Sequence, residues 1–61
     1  MILDYSSAAA LLGLKITTLR SMVARRQVPH IRLGKQLVRF DLAELERWLG
    51  ECRVAAEAEQ R

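Results

Sequence analysis

The sequence predicts a mainly α domain with one small β-hairpin, in the order α-α-β-β-α. Three observations carry this. Two apolar stretches with helical spacing flank Gly13, an alternating segment after Pro29 turns about Gly34-Lys35, and a third helical pattern begins at Asp41. Apolar residues three and four apart line one face of a helix, whereas strict alternation lines one face of a strand.

The first helix is expected to enter at Leu3-Asp4. The Asp4 carboxylate can accept from the free N–H groups of the first turn, and its charge suits the positive end of the helix dipole. Ser6 is the competing cap. Ala8, Ala9, Leu11 and Leu12 supply the apolar residues, and Gly13 is the natural stop. A second helix is expected from about Lys15 to Arg25, with Leu19, Met22 and Val23 as its buried stripe. Thr17, Arg20, Ser21 and Ala24 fall on the opposite side. Two helices joined by a turn of about three residues, around Gly13-Leu14, make a helix-turn-helix.

Pro29 ends the helical region. From His30 to Phe40, apolar and polar residues alternate on both sides of Gly34-Lys35. With Gly34 at positive φ, a two-residue turn would pair Ile31 with Val38 and Arg32 with Leu37. Ile31, Leu33, Val38 and Phe40 would then face the core, and His30, Arg32, Leu37 and Arg39 would face outward. This hairpin would be a wing, making the whole a winged helix-turn-helix. Asp41-Leu-Ala-Glu44 reads as a capping box. It opens a third helix with Leu42, Leu45, Trp48 and Leu49 buried and Trp48 as the core anchor. Residues 1–50 are expected to form the one domain that 61 residues allow. Residues 51–61 are expected to be a helical extension or a flexible tail, in which Cys52, Ala55, Ala56 and Glu59 weakly continue the helical spacing.

Catalysis is not indicated. One His, one Cys and no paired carboxylates in the central region leave no nucleophile-base pair, metal cluster or phosphate-binding glycine loop to assemble. No catalytic residue, cofactor, metal or small-molecule substrate is expected. His30 reads as a surface or phosphate-contacting residue and Cys52 as a small hydrophobe. A single cysteine forms no internal disulfide, which fits a reducing compartment. No apolar run reaches the roughly 20 residues of a membrane span, and the N-terminus lacks signal-peptide features. The cytoplasm is the expected location.

The formal charge is +3, but its distribution is more telling. No acidic residue lies between Asp4 and Asp41, while Lys15, Arg20, Arg25, Arg26, Arg32, Lys35 and Arg39 do. The other carboxylates cluster from Asp41 onward. A segment of one sign attracts polyanions, and here it coincides with the second helix and the hairpin. A recognition helix presents its N-terminal residues to base edges in the major groove. Here these are Lys15, Thr17 and Thr18, with Arg20 and Ser21 a turn later. Arg20 can hold a guanine edge or a phosphate through two parallel N–H bonds. Arg25 and Arg26 complement the helix dipole and suit phosphate contacts. In the wing, His30, Arg32, Lys35, Gln36 and Arg39 suit a backbone or a minor groove. The alternatives are a solvated helix face, and an Arg32 or Arg39 that pairs with the acidic third helix.

The ordered pieces carry a resemblance. Ala8-Ala9-Ala10-Leu11-Leu12-Gly13-Leu14, Thr18-Leu19-Arg20, Val28-Pro29-His30-Ile31-Arg32-Leu33-Gly34, Arg39-Phe40-Asp41 and Leu45-Glu46-Arg47-Trp48-Leu49 together resemble the excisionase-type winged-helix family of the MerR-like superfamily. The match spans residues 2–49. Two positions depart from the pattern: Lys15 stands where Ser or Thr usually caps the recognition helix, and no Glu lies near Ser7. The resemblance implies a phage excisionase, or recombination directionality factor. Such a protein binds repeated sites beside an attachment site, self-associates along DNA, bends it and directs a tyrosine integrase toward excision. Small phage or prophage transcription regulators share the fold, as do DNA-packaging recognition subunits. From a different class, a protein-interaction module with a basic face would explain the charge as well.

Overall fold

The computed structural model describes residues 1–54. The element order is β1 (Ile2–Leu3), α1 (Tyr5–Leu12), α2 (Ile16–Ala24), β2 (Ile31–Arg32), β3 (Val38–Asp41) and α3 (Leu42–Cys52). This is the expected winged helix-turn-helix with one added strand. β1 pairs antiparallel with β3, Ile2 opposite Asp41 and Leu3 opposite Phe40, giving a three-stranded sheet in the order β1-β3-β2. The Leu42 N–H donates to the Met1 carbonyl at 2.9 Å, so this pairing also satisfies the first turn of α3. Two apolar residues before a helix cap are too short a run to read as a strand from alternation.

Helix α1 begins as the sequence implies. The Asp4 carboxylate accepts the Ser7 N–H at 2.8 Å, so Asp4 and not Ser6 is the cap. This bond, followed by one from the Ser7 hydroxyl, holds the Asp4 carboxyl below the usual carboxylate range, and the nearby Arg39 charge adds to the effect. At the other end Gly13 adopts φ 70°. Its N–H donates to the Ala10 carbonyl and that of Leu14 to the Ala9 carbonyl. This double closure terminates helices on a left-handed residue, where glycine has no Cβ to clash.

Helix α2 ends in the same way on a different residue. The Arg26 N–H donates to the Val23 carbonyl and the Gln27 N–H to the Met22 carbonyl, each at 2.9 Å. Arg26 sits at φ 57°, the one positive-φ residue other than glycine among those described. A side chain in this region costs roughly 1–2 kcal/mol.

The core consists of Ala8, Ala9, Leu19, Val23, Val28, Val38, Phe40 and Leu45. Small Ala8 and Ala9 let α1 approach its neighbours closely, while Phe40, Leu19 and Leu45 fill the centre. Leu3, Tyr5, Leu12, Met22 and Trp48 pack around this cluster partly buried. No buried polar side chain is found among the described residues, so the core holds together by apolar contact.

Several expectations need correction. The hairpin pairs Ile31 with Arg39 and Arg32 with Val38, one residue away from the expected register. The Leu33 N–H donates to the Leu37 carbonyl at 2.8 Å, leaving Gly34, Lys35 and Gln36 as a three-residue loop. A two-residue primed turn needs positive φ, and Gly34 does not adopt it. One step of register moves a side chain across the sheet, so Leu33 is 59 % exposed instead of buried.

Asp41 is the cap of α3, but its side chain makes no capping bond, so the expected capping box is absent. Only Leu45 of the expected α3 stripe is fully buried; Leu42, Trp48 and Leu49 are half-buried. Phe40 and Leu45 are therefore the anchors, and Trp48 instead lines a surface groove. Past Gly50, α3 continues through Glu51 and Cys52. Ala55, Ala56 and Glu59 lie outside the described residues.

Candidate nucleic-acid interface

Burial of Leu19 and Val23 fixes the orientation of α2. With that side anchored, Thr17, Thr18, Arg20, Ser21 and Ala24 are exposed, as are Lys15 before the helix and Arg25 and Arg26 after it. Lys15 caps α2 by backbone geometry alone and makes no side-chain capping bond. Its backbone carbonyl accepts the Leu19 N–H at 3.0 Å. The α2 N-terminus thus keeps free backbone N–H groups beside an exposed ammonium, an arrangement that suits an anion.

Two of the arginines are positioned by the fold. The Arg20 guanidinium carbon lies 5.3 Å from the centroid of the Tyr5 ring. That ring meets Phe40 edge-on, with centroids 5.4 Å apart and planes at 73°. Core, tyrosine and arginine therefore form one stacked series, and the cation–π contact restricts Arg20 without engaging its N–H donors. Tyr5 was not among the candidate residues. Its signal is its position: it is the chain's one tyrosine, at the first position of α1. Arg25 instead folds back one turn. Its Nη2 donates to the Ser21 Oγ at 2.7 Å and its Nε to the Ser21 carbonyl at 3.4 Å, so the two residues act as a unit.

The wing presents its charges similarly. Arg32, Lys35 and Gln36 are exposed, while His30 and Arg39 are half-buried. Arg32 Nη1 donates to the Lys35 carbonyl at 3.3 Å, bracing the loop. Arg39 Nη1 donates to the Val38 carbonyl at 2.8 Å. The Arg39 charge also acts on the Asp4 carboxylate, favouring its ionised form. His30 Nδ1 lies 2.9 Å from the Val28 carbonyl. A carbonyl only accepts, so Nδ1 carries the proton and Nε2 is left as the other polar atom of the ring.

A shallow groove of about 330 Å³ lies elsewhere, lined by Pro29, Glu44, Arg47, Trp48 and Glu51. No group of His, Cys, Asp and Glu able to hold a metal is found among the described residues. Among the described residues no helix is long and apolar enough to cross a membrane.

The helix-turn-helix domain family model matches residues 3–53. The chain belongs to this family. The match runs from Leu3, the second residue of β1, through α3, and so includes both helices of the motif and the wing. The family includes excisionase-like small DNA-binding proteins, and membership makes double-stranded DNA the partner class. No curated protein and no solved structure matches the chain.

Proposed function

We propose that the chain is a sequence-specific excisionase that binds repeated sites near a phage attachment site, bends the DNA and directs a tyrosine integrase toward excision. The observation that carries the DNA-binding part is the exposed outer face of α2 and its two ends, which bear Lys15, Arg20, Arg25 and Arg26 with no carboxylate between Asp4 and Asp41. The excisionase part rests on the family and on the resemblance of residues 2–49.

In this reading α2 enters the major groove. Thr17, Thr18 and Arg20 face base edges, with the Tyr5 ring holding Arg20 in place. Lys15 and the α2 N-terminus take a phosphate, and the Ser21–Arg25 unit and Arg26 take others further along. The wing reaches the adjacent minor groove with Arg32, Lys35, Gln36 and Arg39, and His30 meets the backbone at its base. Bending a site costs on the order of 1–6 kcal/mol, offset by the wing's added contacts and by neighbouring copies along the DNA.

The test is a gel-shift titration against attachment-arm DNA beside an integrase gene, paired with an in vitro excision assay. Stepwise, bend-retarded complexes and integrase-dependent excision are expected. Binding confined to a promoter, without excision, identifies a transcription regulator instead. Absence of binding at low salt removes the DNA-binding reading and leaves a protein-interaction module.

A further inference from the structure

The tip of the wing carries an apolar surface that the core does not use. Leu33 is 59 % exposed and Leu37 45 % exposed. The backbone bond from Leu33 to Leu37 places them side by side where the strands close into the loop. Residues directly opposite in an antiparallel pair project from the same face. Along β3, Val38 and Phe40 are buried, so the alternate positions, continued by Leu37 just before the strand, belong to the other face. A domain this small has a thin core, which here leaves other apolar residues such as Ile2 and Leu11 exposed as well. Two adjacent leucines held outside it, at a loop in which Arg32 contacts the Lys35 carbonyl, form an exposed apolar tip.

The surroundings of the tip decide its occupant. Arg39 alternates with buried Val38 and Phe40 and so shares the leucines' face, Lys35 lies in the loop between them, and no acidic residue lies between Asp4 and Asp41. A surface both cationic and apolar fits a partner that is anionic outside and apolar within. The minor groove of duplex DNA has this chemistry, with phosphates along its rims and sugar edges and stacked bases between them. Proteins that enter it often push an apolar side chain between base steps and kink the duplex.

We infer that Leu33 and Leu37 form a minor-groove wedge that partly unstacks a base step and sets the bend in bound DNA. This inference rests on the proposed DNA binding and adds to it a residue pair that no charge-based reading selects. The wedge favours pyrimidine–purine steps, which unstack most easily, so it contributes sequence preference without a hydrogen bond to a base.

The test uses the full chain with Leu33→Thr/Leu37→Thr. Threonine suits a strand, so the hairpin is retained while the apolar tip is lost. A 2-aminopurine at the contacted step reports unstacking, and energy transfer between duplex ends reports the bend. Wild type is expected to brighten the 2-aminopurine and bend the duplex by at least about 20°. The double variant is expected to bind, with an unchanged salt slope, while the fluorescence stays at the free-duplex level and the bend falls by half or more. Single Leu33→Ala, at the more exposed position, carries the same readout if the double variant loses its melting transition. Equal fluorescence and bend for wild type and variant overturn the inference. So does a variant that bends normally but loses cooperativity, since the leucines then hold a second copy. A wild type that binds no duplex refutes the underlying reading, which is a distinguishable failure.

Discussion

Replacing Arg26 by glycine should make the protein more stable and a weaker DNA binder. Arg26 closes α2 at φ 57°, with the Arg26 and Gln27 N–H groups satisfied by Val23 and Met22. Those bonds belong to the backbone and survive the substitution. The side chain is exposed, so little packing is lost. Relief of the left-handed strain is worth roughly 1–2 kcal/mol. The added freedom of glycine in the unfolded chain offsets roughly 0.4–1 kcal/mol of this. The net gain is about 1 kcal/mol, or about 4–8 °C in Tm for a domain of this size. Arg26→Ala keeps the strain and removes only the charge, so its stability should stay within about 0.5 kcal/mol of wild type. If Arg26 holds a phosphate, both variants should lose affinity for duplex DNA, with the slope of log K against log salt falling by about 0.9. Thermal melts with fluorescence anisotropy at several salt concentrations measure both quantities. A lower Tm for Arg26→Gly would refute the strain argument. An unchanged salt slope in both variants would remove Arg26 from the interface.

Other substitutions separate core from interface. Phe40→Ala should cost about 3–5 kcal/mol and unfold much of the population in a chemical melt, because Phe40 is fully buried. Trp48→Ala should cost less, about 1–2 kcal/mol, since Trp48 is only half-buried; equal losses would show that Trp48 anchors the core after all. Arg20→Ala should weaken specific binding by about 1–3 kcal/mol and relax base preference in a binding-site selection. Tyr5→Leu should show a smaller part of the same loss, through a less restricted Arg20. Asp4 has a depressed pKa in the folded state, so its stabilisation is complete above its unfolded pKa and disappears as pH falls through the folded one. Melts taken as pH falls below about 4 should therefore lose a component that Asp4→Asn, which still caps, does not show.

The helices and the electrostatic face were legible in the sequence because each rests on local chemistry. Asp4 and Gly13 delimit α1 by capping and by tolerance of a left-handed backbone, and Leu19 and Val23 orient α2 by spacing alone. What escaped depends on tertiary context. Strand β1 exists because β3 offers Leu3 and Ile2 an edge, and nothing in two residues announces that. The hairpin register turned on the φ of Gly34, which glycine leaves open by having no preference of its own. That single step decided whether Leu33 lay inside or outside. Tyr5 was overlooked because its role toward Arg20 comes through stacking between elements rather than through its charge or spacing.

In the proposed binding mode the outer face of α2 and the wing together hold duplex DNA. An amide chemical-shift titration of the full chain with a short duplex tests this most directly. Salt-sensitive shifts are expected to concentrate at residues 15–26 and 30–39, with Glu44, Arg47 and Glu51 of α3 little affected. Shifts confined to α3 and the Trp48 groove, or none at low salt, would contradict it.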